Sequence, residues 1–112
     1  MTTNTRKIEH YNLPNGKDPF AVWLDGLKDI RARAKININI ERLKGGNLTN
    51  CEPVGKGVLE LKINYGPGYR VYFGQVGQVL VLLLCGGDKS TQANDIKTAH
   101  SFWDDYKRRS AS

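Results

Sequence analysis

The chain holds only two cysteines in 112 residues, Cys51 and Cys85, and they form no CxxC pair. Neither a disulfide framework nor a cysteine zinc site is expected. Long apolar runs are missing too: the longest, Val79 to Cys85, has seven residues, against the roughly 20 that a membrane-spanning helix needs. Met1 to Lys7 carries basic residues with no apolar stretch behind them, so no export signal is expected and a reducing cytoplasm is the simplest location. Ser-His-Asp order, P-loop and HExxH motif are all absent, and no cofactor or metal is expected. Acidic residues are in the minority, 11 against 17 Lys plus Arg, for a formal net charge of +6.

What is present suffices for one packed domain. Hydrophobic residues make up 39% and charged residues 25%, which argues against wholesale disorder. Residues 1–112 are read as a single domain whose first five residues form a disordered tail. Arg6 to Leu13 reads as a short strand before the Pro14-Asn15-Gly16 turn. Asp18 and Pro19 then offer an N-cap and first helical position for Phe20, Trp23, Leu24 and Leu27.

Arg31 to Lys44 poses a conflict, because Ile36-Asn-Ile-Asn-Ile40 alternates like a strand between helix-forming flanks. The stripe Ala32, Ile36, Ile40, Leu43 and the stop at Gly45-Gly46 favour a helix. On that helix Lys28, Arg31, Lys35 and Arg42 share a neighbouring face, in a segment with six basic and two acidic residues. Phosphates attract such a stripe, although a solvated helix face has the same composition.

A loop containing Pro53 leads to period-two segments around Gly66-Pro67-Gly68, a hairpin. With a three-residue loop, Asn64 faces Arg70 and Lys62 faces Tyr72, which puts Glu60, Lys62, Asn64, Arg70 and Tyr72 on one polar face. Val79 to Leu84 reads as a central strand, Gly86 to Thr91 as a loop, and Ser90 or Thr91 as the cap of a final helix with Ile96, Ala99, Phe102 or Trp103, and Tyr106 inward. The order β-α-α-β-β-β-α predicts an α+β fold, a small and mainly antiparallel sheet packed against helices.

The polar hairpin face suits single-stranded RNA. Arg70 offers a planar fork for a phosphate, Lys62 and Lys89 point charges, and Tyr69 or Tyr72 a stacking plane or a hydroxyl donor. Cleavage by the neighbouring 2′-hydroxyl needs positioning, a base, charge stabilisation at phosphorus and an acid for the leaving oxygen. Arg70 and Lys62 fit the charge role, while Glu60, Asp95 or a lysine of lowered pKa are open choices for the base. The bland alternative is a Glu60–Lys62 ion pair on an exposed sheet face.

Several separated motifs agree in order with one family. Gly57-Val-Leu-Glu-Leu-Lys62, Gly66-Pro-Gly-Tyr-Arg-Val-Tyr-Phe73, Leu82-Leu-Leu-Cys-Gly-Gly-Asp-Lys-Ser-Thr-Gln92 and Asp95-Ile96 resemble the RelE/HigB-like toxins, specifically the phage-derived addiction-module killer protein branch. The resemblance runs from about Lys7 to Tyr106. It implies a compact RelE fold and the toxin of a type II toxin-antitoxin pair: a metal-independent endoribonuclease that cleaves mRNA on the ribosome. A cognate helix-turn-helix antitoxin, and through it operator DNA, are the implied partners. Arg70 matches the family's phosphate-contacting arginine, Lys62 a strand basic residue, and Lys89 a basic residue after the last strand. Glu60 stands where RelE has a second lysine, and Asp95 near the position of a tyrosine, so RelE's acid-base scheme does not transfer. Tyr72, Gln92 and Asp95 remain site candidates, with Tyr69, Gln92 and the basic stripe assigned to RNA or ribosome contact. A gyrase inhibitor of ParE type and a non-catalytic RNA-binding or co-repressor module are the alternatives.

Overall fold

The structure, a computed structural model, describes residues 5–111; of the expected N-terminal tail, residues 1–4 lie outside them. Its elements are β1 (Lys7–His10), α1 (Pro19–Asp25), α2 (Ile30–Lys44), β2 (Cys51–Pro53), β3 (Val58–Ile63), β4 (Tyr69–Val76), β5 (Leu80–Asp88) and α3 (Gln92–Ala111). The strands form one sheet in the order β1-β5-β4-β3-β2. Only β1 runs parallel to its neighbour β5; the other pairs are antiparallel. The fold is the expected α+β class, and β2, in the stretch read as a loop around Pro53, adds an edge strand where proline is tolerated.

Local chemistry sets the helix starts. The Asp18 side chain accepts from the Ala21 amide, with Pro19 in the first turn. Asp29 caps α2 through the Arg31 and Ala32 amides. The strand-like alternation of Ile36 to Ile40 loses to helical packing, since Ala32, Ile36, Ile40 and Leu43 are all buried.

Each face of the sheet has its own core. Phe20, Ile36, Ile40 and Leu43 pack on Leu61, Ile63, Val71, Phe73, Val81 and Leu83. On the opposite face Ala99 and Trp103 of α3 pack with Tyr11, Val58, Tyr72, Leu82, Leu84 and Cys85. A β-bulge at Tyr72/Phe73 shifts the β4–β5 register, which turns the adjacent Leu84 and Cys85 to the same core.

Two expectations at the end of the sheet are corrected. Gly86 and Gly87 belong to β5, not to a loop: a Cβ on Gly86 would collide with the Trp23 ring, and one on Gly87 with the Asp95 carboxylate. The helical segment is capped by Asp88, which accepts from Ser90 and opens a 3-10 turn, Lys89–Thr91, that runs into α3. Neither Ser90 nor Thr91 is the cap, because extended backbone continues through Asp88. Among the described residues no helix is long and apolar enough to cross a membrane.

Candidate functional site

The hairpin register differs from the three-residue-loop expectation. Lys62 faces Arg70, Glu60 faces Tyr72 and Ile63 faces Tyr69, so residues 64–68 form a five-residue connection. Tyr65 explains the longer loop. Its hydroxyl donates to Asp29 at 3.1 Å and its ring lies 5.1 Å beneath the Lys35 ammonium, which draws the residue out of the ladder toward α2. A slip by two positions keeps the same face, so Glu60, Lys62, Arg70 and Tyr72 stay together.

That face points toward α3, and most of it is buried. Glu60 is 1% exposed and Tyr72 0%. The Glu60 Oε2 accepts from the Tyr72 hydroxyl at 3.0 Å and from the Gln92 amide at 2.9 Å. Arg70 Nε stands 3.6 Å from the same oxygen, an ion-pair contact too long for a hydrogen bond. Burial, then the Glu60 charge and hydrogen bond, push the Tyr72 hydroxyl far above its usual pKa. Tyr72 therefore offers neither a stacking plane nor a ready proton, and Glu60 is no accessible base. The proposed Glu60–Lys62 pair is also replaced: Lys62 meets Glu52 at 3.4 Å, and Glu60 meets Arg70.

Arg70 extends from the buried Glu60–Tyr72 pair to the rim. Its side chain is 12% exposed, and Nη1 donates to the Gly68 carbonyl at 2.8 Å. Gly68 has a φ of 81°, and a Cβ there would sit 3.3 Å from Arg70 Nη1 and 3.7 Å from Lys89 Cβ. A left-handed glycine thus lets the arginine fold back over its own turn, with the stem of exposed Lys89 also near Gly68. The stem of Lys89 and the Arg70 guanidinium thus flank one glycine, and Gln92 meets the same cluster through Glu60.

The other candidates separate. Asp95 accepts from Thr91 at 2.5 Å and abuts Gly87, which gives it a packing role at the start of α3. Tyr69 lies on the opposite face, its ring 6.2 Å from Trp23. Arg31, Lys35 and Arg42 are exposed on α2, but Lys28 precedes the helix, so the stripe is three residues long. Lys35 and Arg42 line a groove of about 270 Å³ with Lys62, Asn39, Asn50, Asn64 and Tyr65. Lys62 therefore links the Arg70 rim, through its cross-strand position, to the α2 stripe. The amides of this groove were not anticipated, because Asn39 lies on α2 while Asn50 and Asn64 lie in two separate connections. Among the described residues no group of three or more His, Cys, Asp or Glu side chains is placed to hold a metal ion.

Fold and site together define a small α+β domain with a buried carboxylate–arginine cluster opening at a basic rim. The chain is 55% identical over 80 residues to an uncharacterized protein of Haemophilus influenzae (strain ATCC 51907 / DSM 11121 / KW20 / Rd), covering 71% of this chain and 81% of that protein. It belongs to that protein's family. No family model matches the sequence.

Proposed function

We propose that the protein is the toxin of a type II toxin-antitoxin pair, a ribosome-dependent mRNA endoribonuclease of the RelE/HigB kind that acts in the cytoplasm and is neutralised by a helix-turn-helix antitoxin. The observation that carries this reading is the mounting of Arg70. Its Nε faces Glu60, Nη1 donates to the Gly68 carbonyl, and the stem of Lys89 stands against the same glycine. A guanidinium fixed this way meets a phosphate with its orientation already set, which lowers the cost of stabilising charge at phosphorus.

In the proposed reaction the 2′-oxygen attacks the adjacent phosphorus and loses its proton, the bond to the 5′-oxygen breaks, and that oxygen takes up a proton. The products are a 2′,3′-cyclic phosphate and a 5′-hydroxyl. Arg70 and Lys89 stabilise the phosphorane. Glu60, Tyr72 and Gln92 are positioning residues that act through Arg70. Lys62, Lys35 and Arg42 bind backbone phosphates beside it.

Programmed ribosomes carrying a labelled mRNA test the reading. Wild-type protein is expected to give a new RNA end within the decoded region, and Arg70→Ala to lower the rate by about 10²- to 10³-fold. Growth arrest without new transcript ends, or full toxicity of Arg70→Ala, overturns it. Inhibition of DNA supercoiling without RNA cleavage would assign the protein to the gyrase-directed class instead.

A further inference from the structure

The turn between β2 and β3 holds three consecutive residues in left-handed backbone: Gly55 at φ 98°, Lys56 at 55° and Gly57 at 87°. The two glycines are explained by what they touch. A Cβ on Gly55 would lie 3.4 Å from His100 Nε2, and one on Gly57 would lie 3.0 Å from Trp103 Nε1. The turn is pressed onto α3, and His100 donates Nε2–H to the Val54 carbonyl at 2.9 Å to hold it there. Lys56 has no such excuse. Glycine or asparagine takes this conformation at lower cost, so a lysine here trades backbone comfort for the position of its ammonium.

That ammonium belongs to a shallow pocket of about 310 Å³ lined by Lys56, Lys97, His100, Ser101, Asp104 and Arg108. Three cations meet one carboxylate. Asp104 is already shared with Lys107 at 3.9 Å, and Arg108 lies 3.7 Å from Asp105. Neither Lys56 nor Lys97 has an ion-pair partner among the described residues. Ser101 adds a hydroxyl between the cations. Lys97 and Arg108 are eleven residues apart on one helix, roughly 16 Å at 1.5 Å per residue, so the site suits an extended polyanion better than a single small anion.

We infer that this pocket is a second RNA-backbone site, in which Lys56, Lys97 and Arg108 hold phosphates of a single strand at a distance from the cleavage centre. The inference rests on the RNA-cleaving reading for the identity of the polyanion. It adds a binding surface on α3, the helix whose first residue, Gln92, supports the Arg70 cluster. Asp104 is the charge that opposes binding and limits affinity.

The test is fluorescence anisotropy with a fluorescein-labelled single-stranded RNA, 2′-O-methylated throughout so that binding is read without cleavage. Replacing all three cations, as Lys56→Gly, Lys97→Ala and Arg108→Ala together, should weaken binding at least about tenfold at low salt. It should also flatten the slope of log K against log salt by about 2, at roughly 0.7 for each phosphate that is no longer neutralised. Asp104→Asn should bind more tightly than wild type. Lys56→Gly alone should keep or raise the melting temperature, because glycine accepts the left-handed turn, while still losing affinity. If that variant is poorly folded, Lys97→Ala with Arg108→Ala, on an exposed helix face, gives the same reading. Unchanged affinity and slope in the cation variants, no gain in Asp104→Asn, or no salt-dependent binding by wild type overturns the inference. Failure of the cleavage reading shows elsewhere, as wild-type protein that binds this RNA through the pocket yet cuts no message on ribosomes.

Discussion

Beneath α1 and α2 the sheet presents Leu61, Ile63, Val71, Phe73, Val81 and Leu83 to Phe20, Ile36, Ile40 and Leu43. Beneath α3 the same strands set Glu60 and Tyr72 beside Val58, Leu82, Leu84 and Ala99, with Arg70 at the rim. The first core is apolar throughout, and its stability comes from area removed from water and from close packing. The second spends part of its burial on a carboxylate whose desolvation is offset by two hydrogen bonds and one ion pair. Hydrocarbon would fill that volume at lower cost, but it would not hold a guanidinium in one orientation at the surface. The contrast separates the face whose packing secures the fold from the face to which we assign the proposed chemistry.

The largest test of this division is Phe73→Ala, at a wholly buried position of the apolar core. A loss of about 3–5 kcal/mol is expected, and with it a fall in melting temperature of more than about 12 °C. Cleavage by the fraction that stays folded should be little changed. If cleavage falls in step with Arg70→Ala while the protein remains folded, the two faces are not separable as argued. Glu60→Gln should show the reverse balance. The amide keeps the shape and its oxygen can still accept both hydrogen bonds, so only about 1–2 kcal/mol of stability is lost with the charge. Arg70, however, loses the charge that fixes it. The turnover rate kcat should then fall while KM stays level or drops, since a less compensated guanidinium binds ground-state phosphate at least as well. A rise in KM with kcat intact would remove Glu60 from any positioning role.

Much of this organisation was legible in the sequence, for identifiable reasons. Helical spacing of Ala32, Ile36, Ile40 and Leu43 marked the apolar face correctly, and the Asp18-Pro19 cap placed α1. The polar set Glu60, Lys62, Arg70 and Tyr72 shared a face as read, because a two-residue change in register preserves the alternation. What could not be read was the cover over that face. Whether Glu60 is a solvated base or a buried counter-ion depends on Gln92, 32 residues away in sequence, and no local pattern reports such a contact. Glycine misled for a related reason. Gly86 and Gly87 look like a loop, yet they serve as flat strand positions on which Trp23 and Asp95 rest. Lys62 was grouped with the polar hairpin face and Lys89, whereas the folded sheet also brings it to one groove with Lys35 and Arg42.

The smallest expected effect concerns how the apolar face responds to acid. Its core contains no carboxyl or imidazole, so its acid sensitivity comes from the rim, where Asp29 caps α2. The carboxylate accepts from the Ala32 amide at 3.2 Å, the Arg31 amide at 2.9 Å and the Tyr65 hydroxyl at 3.1 Å. The backbone bond from Ala32, helped by Tyr65, Arg31 and the Arg31 charge, holds its pKa below the ordinary value. A carboxyl lowered on folding adds stability that is complete above its unfolded value, near 3.9, and disappears as pH falls through the folded value. Asp29→Asn keeps a cap without the charge. Melting temperatures measured from pH 6 downward should therefore show wild type slightly ahead at first, with the gap closing in the acid range. A gap that stays constant to the lowest pH would mean that the amide caps less well for geometric reasons and that the charge contributes nothing. The acid sensitivity left in Asp29→Asn should then trace to the two lowered carboxyls on the α3 side, Asp105, held down chiefly by the Tyr11 hydroxyl, and Asp88, held down chiefly by the Ser90 hydroxyl. That remainder measures how much of the acid response belongs to each face.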